Sequence, residues 1–146
     1  MNVLFICTGN TCRSPMAAAI MSKIAADNDM DLFIDSAGLM TEDGLEASEN
    51  AIEAMAAMGI DITGHHSHQI TNDDIIQADL ILTMTDGQKR ILEHYAPDKV
   101  FTLAEFAGDE GDIPDPYGGD IDEYTETAQR IYDLMVDTAE RIADML

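Results

Sequence analysis

A chain of 146 residues is long enough for one domain with a proper core. Seven Lys and Arg stand against 29 Asp and Glu, and the resulting net charge of −22 argues against nucleic acid and anionic membranes as partners. The apolar N-terminal run is too short for a signal peptide, no run approaches a membrane helix, and both cysteines share one loop, so a cytoplasmic protein is expected.

In chain order, Asn2-Val3-Leu4-Phe5-Ile6 reads as a buried strand. It stops at Cys7-Thr8-Gly9-Asn10-Thr11-Cys12-Arg13, and Ser14-Pro15 then opens a helix, with Ser14 as N-cap and Pro15 first inside. That helix runs to about Ala26 on a stripe of Met16, Ile20 and Ile24. Leu32 to Gly38 is a second strand. A helix follows from about Leu45 to Met58, with Gly59 as its C-terminal cap. Ile60 to Gln69 is irregular. Thr71-Asn72-Asp73-Asp74 starts a short helix to Ala78, Asp79 to Met84 is a third strand, and Asp86 to about Tyr95 is helical. Val100 to Leu103 is a fourth strand, and residues 104–119 form a long Gly-, Pro- and Asp-rich loop, a length usual for functional loops. Asp120 caps a last helix that runs almost to Leu146, its buried face marked by Ile121, Tyr124, Ala128, Ile131, Met135 and Ile142. Strands alternating with helices imply an α/β fold with a parallel sheet and right-handed crossovers.

The loop after the first strand carries the chemistry. Inward backbone N–H groups at a helix N-terminus make an anion-binding nest. A Cys at its start and an Arg six residues later suit a phosphoryl group: the guanidinium forks onto its oxygens, and the thiolate lies under phosphorus. Standing alone, Cys7 would read as a small buried hydrophobe. Asp115, between Pro114 and Pro116, would alone read as a turn residue. His65, His66 and His68 lack the cysteines or dense carboxylates of a zinc site, so no metal is expected. The acidity reads as a highly solvated surface, with salt adaptation as one cause.

The stretch Cys7 to Met16, with Asp115-Pro116-Tyr117-Gly118, resembles the low-molecular-weight protein tyrosine phosphatase family over nearly the whole chain. The resemblance implies one domain over residues 1–146, a three-layer αβα fold around a four-stranded parallel sheet of order 2-1-3-4. It implies Cys7 as nucleophile, Arg13 as phosphate clamp and Asp115 as general acid. Thr8, Gly9, Asn10, Thr11, Cys12 and Ser14 would hold the phosphate, and the Ser14 hydroxyl would also bond the thiolate. Ser36 and Tyr117 would support the site. His65-x-x-His68-Gln69 resembles a His-x-x-Arg-Gln segment of the family, which gives His65 the task of holding Asn10; here His68 stands where Arg is usual. The family counterpart of Cys12 forms a reversible disulfide with the nucleophile.

The loop Cys-Thr-Gly-Asn-Thr-Cys-Arg-Ser-Pro-Met-Ala is most similar to the bacterial protein-arginine phosphatase branch. Thr11 stands where tyrosine-specific members carry a larger aliphatic side chain. Met84-Thr85 with Lys89, Phe101-Thr102-Leu103-x-Glu105 and the Gly118-Gly119 pair resemble the same branch, whereas Tyr117 replaces its usual Phe. The expectation is a phosphatase for phosphoarginine on proteins or peptides, acting through a cysteinyl-phosphate without a cofactor. A protein-tyrosine phosphatase is the alternative, and a non-catalytic phosphate-binding module a more remote one. An arsenate reductase on this fold would need a further cysteine pair.

Overall fold

Val3 to Cys7 are all buried, and they form the bulk of the central strand of a sheet. The computed structural model describes residues 1–146. Its elements follow in the order β1 (Asn2–Cys7), α1 (Arg13–Asp27), β2 (Phe33–Gly38), α2 (Glu49–Ala57), α3 (Asn72–Gln77), β3 (Leu80–Thr83), α4 (Asp86–Glu93), β4 (Val100–Thr102), α5 (Leu103–Phe106) and α6 (Ile121–Met145). The four strands make one parallel sheet of order β2-β1-β3-β4. Strand order reverses at β1, so the loop after it opens at the carboxyl edge, where ligands bind in such sheets.

Alternating side chains on β1 serve two cores. Val3, Phe5 and Cys7 join Met16, Ile20 and Met21 of α1, Met55 of α2 and Ile131, Met135 and Ile142 of α6. Leu4 and Ile6 join Ala78, Ile81, Leu92 and Val100 on the opposite face, beneath α3 and α4. Phe5, Ile6 and Met16 have no solvent exposure. Each such side chain stabilises the fold by about 1.5–3 kcal/mol relative to an exposed one.

The ends of the helices follow local chemistry. Thr71 and Thr85 each cap a helix in a reciprocal capping box, with Asp74 and Gln88 as the returning side chains. Asp120 accepts from the Glu123 N–H to start α6. Gly59, at φ +77°, closes α2 in a Schellman turn: its N–H donates to Ala56 and that of Ile60 to Met55.

Several boundaries differ from the sequence reading, and Ile121, expected on the buried face of the last helix, is exposed in its first turn. The first helix begins at Arg13 with Cys12 at its N-cap and no side-chain cap, because Ser14 turns its hydroxyl to Cys7 and Asn10. The second begins at Glu49, capped by Ser48; Glu46 pairs instead with His66 in a short bridge. Within the expected loop 104–119, Thr102 accepts from the Glu105 N–H and folds Leu103–Phe106 into one helical turn. That turn buries Leu103, Ala104 and Phe106.

Candidate active site

The loop between β1 and α1 curls around the Cys7 thiol. Asn10 is its hub: it is fully buried and has φ +55°, a left-handed conformation that Asn tolerates better than most residues. Its backbone N–H donates to Cys7 Sγ at 3.2 Å. Its side-chain amide donates to Ser14 Oγ at 2.7 Å and to Ser36 Oγ at 3.0 Å. Its Oδ1 accepts from the His68 N–H at 2.9 Å, and its carbonyl accepts from His65 Nε2 at 2.7 Å. The His65 bond goes to the backbone of Asn10, which restrains the peptide plane as well as the side chain.

This network sets a direction at the nucleophile. Ser14 Oγ lies 2.9 Å from Cys7 Sγ. Because the hydroxyl oxygen already accepts from Asn10, its own hydrogen is free to point at sulfur. Cys7 Sγ thus faces two donors, the Asn10 N–H and the Ser14 O–H. Spending Ser14 in this way leaves the first N–H groups of α1 without a side-chain acceptor, and they combine with the positive end of the helix dipole.

Arg13 is 4% exposed. Its Nη1 donates to the Ile113 carbonyl at 2.9 Å, and its Nη2 lies 3.7 Å from Asp115 Oδ2. Its buried Nε has no protein acceptor. The Ile113 N–H is also used, donating to the Met84 carbonyl at 3.0 Å. Ile113, wholly buried, therefore pins the long loop against β3 and against Arg13 at once. Asp115, two residues on, hangs over the cavity with 53% of its side chain exposed. The Tyr117 N–H donates to Asp115 Oδ1 at 3.0 Å and steadies the carboxylate. Tyr117 itself is 80% exposed.

Cys7, Thr8, Gly9, Asn10, Thr11, Cys12, Arg13, Asp115 and Tyr117 together line one cavity of about 200 Å³. Ser14, Ser36 and His65 stand behind it and act through Cys7 and Asn10. The residues expected to catalyse, to hold phosphate or to support the site thus lie in or against one cavity. Cys12 is a free thiol, as is Cys7. Cys12 Sγ lies 3.3 Å from Tyr124 Oη and 3.4 Å from Ser48 Oγ. Burial and then the Cys12 contact push the Tyr124 phenol up to about 12, so it stays protonated.

Sequence reasoning missed several participants. The Ile113 carbonyl leaves no sequence signal, because any residue carries one. Gln88 does leave one, as the last position of the Thr85 capping box. Its Oε1 accepts from Met84 and Thr85, and its Nε2 donates to Thr8 Oγ1 at 3.2 Å, joining α4 to the phosphate loop. Lys89 and Glu105, quoted above in two separate motifs, meet in an ion pair at 2.7 Å. That bond raises the Lys89 ammonium above its ordinary value.

The model of the family described as low molecular weight phosphotyrosine protein phosphatase matches residues 2–145. The chain belongs to this family. A protein-arginine-phosphatase of Bacillus subtilis is 38% identical over 146 aligned positions, covering 97% of each chain. A solved arginine phosphatase, a Cys-to-Ser variant carrying a phosphorylated active-site serine, superposes with a TM-score of 0.93 at 37% identity, covering 98% of this chain and 96% of its own. The low molecular weight protein tyrosine phosphatase of T. tengcongensis superposes with a TM-score of 0.92 at 41% identity, covering 97% and 99%. The phosphatase is a cysteine-dependent enzyme acting on phosphorylated proteins. Its site has the parts this requires: a thiol under two donors, a buried guanidinium, and a carboxylate at the mouth. No helix of the phosphatase is long and apolar enough to cross a membrane.

Proposed function

We propose that the protein removes the phosphoryl group from phosphoarginine on proteins, with Cys7, Arg13 and Asp115 as catalytic residues. The Cys7 thiolate attacks phosphorus in line with the departing guanidino nitrogen. An S–P bond forms as the P–N bond breaks, and Asp115 gives its proton to that nitrogen. Arg13 Nη2 and Nε, with the loop N–H groups, hold the equatorial oxygens where transition-state charge lies. Water then attacks the cysteinyl-phosphate, Asp115 takes a proton from it, and the S–P bond breaks to release inorganic phosphate and the thiolate.

The observation that carries the chemistry is the pair of donors on Cys7 beneath the carboxylate of Asp115. The arginine assignment is supported by the small β-branched Thr11 on the cavity wall, next to a carboxylate that can accept guanidinium N–H groups. It is also supported by the relatives named protein-arginine-phosphatase, at 38% and 40% identity. One observation favours a tyrosine phosphatase instead: Tyr117 offers an exposed aromatic face at the cavity mouth. Two free cysteines support action in the cytoplasm.

The deciding experiment is phosphate release from a phosphoarginine peptide and a matched phosphotyrosine peptide, with Cys7→Ser as control. Faster turnover of phosphoarginine, abolished by the control, is expected. Preference for phosphotyrosine would overturn the arginine assignment, and silence on both would overturn catalysis.

A further inference from the structure

A second cavity, of about 630 Å³, shares Thr8 with the catalytic one. It is a groove between α3 and α4 with the turn after β2 at its head. Leu39, Met40, Ile75, Ile91 and Tyr95 supply its apolar walls. Met40 is 80% exposed, Ile91 54% and Tyr95 69%, so the groove places three large apolar side chains in water. None of its thirteen lining residues is charged, in a chain where 25% are charged and the net charge is −22. The catalytic cavity, by contrast, is lined by the charged side chains of Arg13 and Asp115.

An exposed apolar patch of this kind marks an interaction surface. Its occupant is indicated by continuity. Thr8 belongs to the phosphate loop and lines both cavities, and Gln88, another wall residue of the groove, hydrogen-bonds to it. Met40 is tied to the same residue, its N–H donating to the Thr8 carbonyl at 3.0 Å. A substrate polypeptide whose phosphorylated side chain reaches Cys7 and whose chain leaves the cavity past Thr8 enters this groove. Two to four extended residues span roughly 7–13 Å, the reach of a short flank on either side of the phosphorylated residue.

We infer that the groove is a substrate subsite, which takes an apolar side chain two to four residues from the phosphorylated residue. The subsite rests on the reading of the protein as a phosphoprotein phosphatase, and it holds for either phosphorylated residue. It gives the enzyme a sequence preference that the small catalytic cavity cannot supply. Its apolar walls also let substrate dock where carboxylates do not repel acidic segments.

Two peptide series test this, one with phosphoarginine and one with phosphotyrosine. Each carries Leu or Ser at the flanking positions. The enzyme, Ile91→Asp and Met40→Asp are compared, with p-nitrophenyl phosphate as a substrate that has no flank. Both substituted residues are exposed, so the fold is retained. In the hydrolysed series, the Leu peptide is expected to show kcat/KM about tenfold above the Ser peptide, mostly through KM. Both variants should erase that advantage and leave p-nitrophenyl phosphate turnover unchanged. Equal rates for Leu and Ser peptides would overturn the subsite, as would an advantage that persists in both variants. A dimer that dissociates on Ile91→Asp, with no flank effect, would overturn it in favour of a second copy of the chain. A switch from phosphoarginine to phosphotyrosine would overturn only the assignment of the phosphorylated residue.

Discussion

The floor and the rim of the catalytic cavity are built by opposite rules. On the floor, Cys7, Asn10, Arg13, Ser14 and Ser36 are all buried, and each polar side chain has a named protein partner. On the rim, Asp115 and Tyr117 are exposed, and they hang from a loop held at Ile113. The floor handles a phosphoryl group, which is the same on any substrate. The rim meets whatever the phosphoryl group is attached to. Burial and redundant hydrogen bonds therefore belong where geometry must not vary, and exposure where specificity is set.

The largest effect should come from the floor. Cys7→Ser is expected to lower phosphoarginine turnover by at least about 10⁴-fold, since a serine hydroxyl is a far weaker nucleophile than a cysteine sulfur. Steady-state phosphate release measures it, and residual activity near that of the parent would place the nucleophile elsewhere. On the rim, Asp115→Asn should lower kcat/KM, which covers the steps up to the cysteinyl-phosphate, by about 10²–10⁴-fold with phosphoarginine and much less with p-nitrophenyl phosphate, whose leaving group needs no proton. Equal losses in kcat/KM on both substrates would mean that Asp115 acts by holding Arg13 rather than as the acid.

Gly38→Ala probes how rigid the floor is. A methyl there would lie 2.8 Å from the Thr8 carbonyl and 2.9 Å from Thr41 Cγ2, so the phosphate loop must shift. A fall in kcat of about 10²-fold on every substrate, p-nitrophenyl phosphate included, is expected for a displacement of this kind. An unchanged kcat would show that the loop yields without cost. Thr11→Ile should leave the floor intact and shift the ratio of phosphoarginine to phosphotyrosine rates by about tenfold toward tyrosine, as a filled pocket excludes the guanidino group. An unchanged ratio would remove Thr11 from the specificity determinants.

The smallest effect lies behind the floor. His68, whose N–H holds Asn10, has its ring 2.7 Å from Asp74. Burial works to raise the Asp74 carboxyl, but the Thr71 N–H and the His68 ring outweigh it and hold the group below its ordinary value. A carboxyl depressed on folding stabilises the protein above the unfolded carboxylate range, and that stability is lost as pH falls through the depressed value. Asp74→Asn should therefore cost about 1 kcal/mol at neutral pH, and that cost should fade as the pH falls through the depressed carboxyl value. Urea unfolding across that range would show it, and a penalty independent of pH would point to lost packing instead.

Much of this was legible in the sequence. Thr71 and Asp120 announced their helices, Gly59 marked the end of α2, and the alternation of strands and helices led to the parallel sheet. The spacing from Cys7 to Arg13 located the phosphate loop. Ser14 was read both as an N-cap and, by resemblance, as a partner of the thiolate, because a Ser before a Pro is ordinary capping chemistry. Only the folded loop shows that the second role excludes the first, its oxygen accepting from Asn10 while its hydrogen faces Cys7.

By itself, then, the sequence determined what depends on neighbours along the chain: helix starts, strand patterning, the thiol-to-guanidinium spacing and the acidity. Tertiary structure decided what depends on partners distant in sequence. Ile113 meets Arg13 across 100 residues and so brings Asp115 to the cavity that Cys7 lines. Lys89 reaches Glu105, and Gln88 reaches Thr8. Leu39, Ile75 and Ile91, ordinary core-forming residues in any local pattern, become the walls of an open groove because α3 and α4 stand apart over the sheet. Such contacts leave no periodic trace. Most run through a backbone carbonyl or a side chain whose type suits many tasks, and only the sheet order brings the partners together.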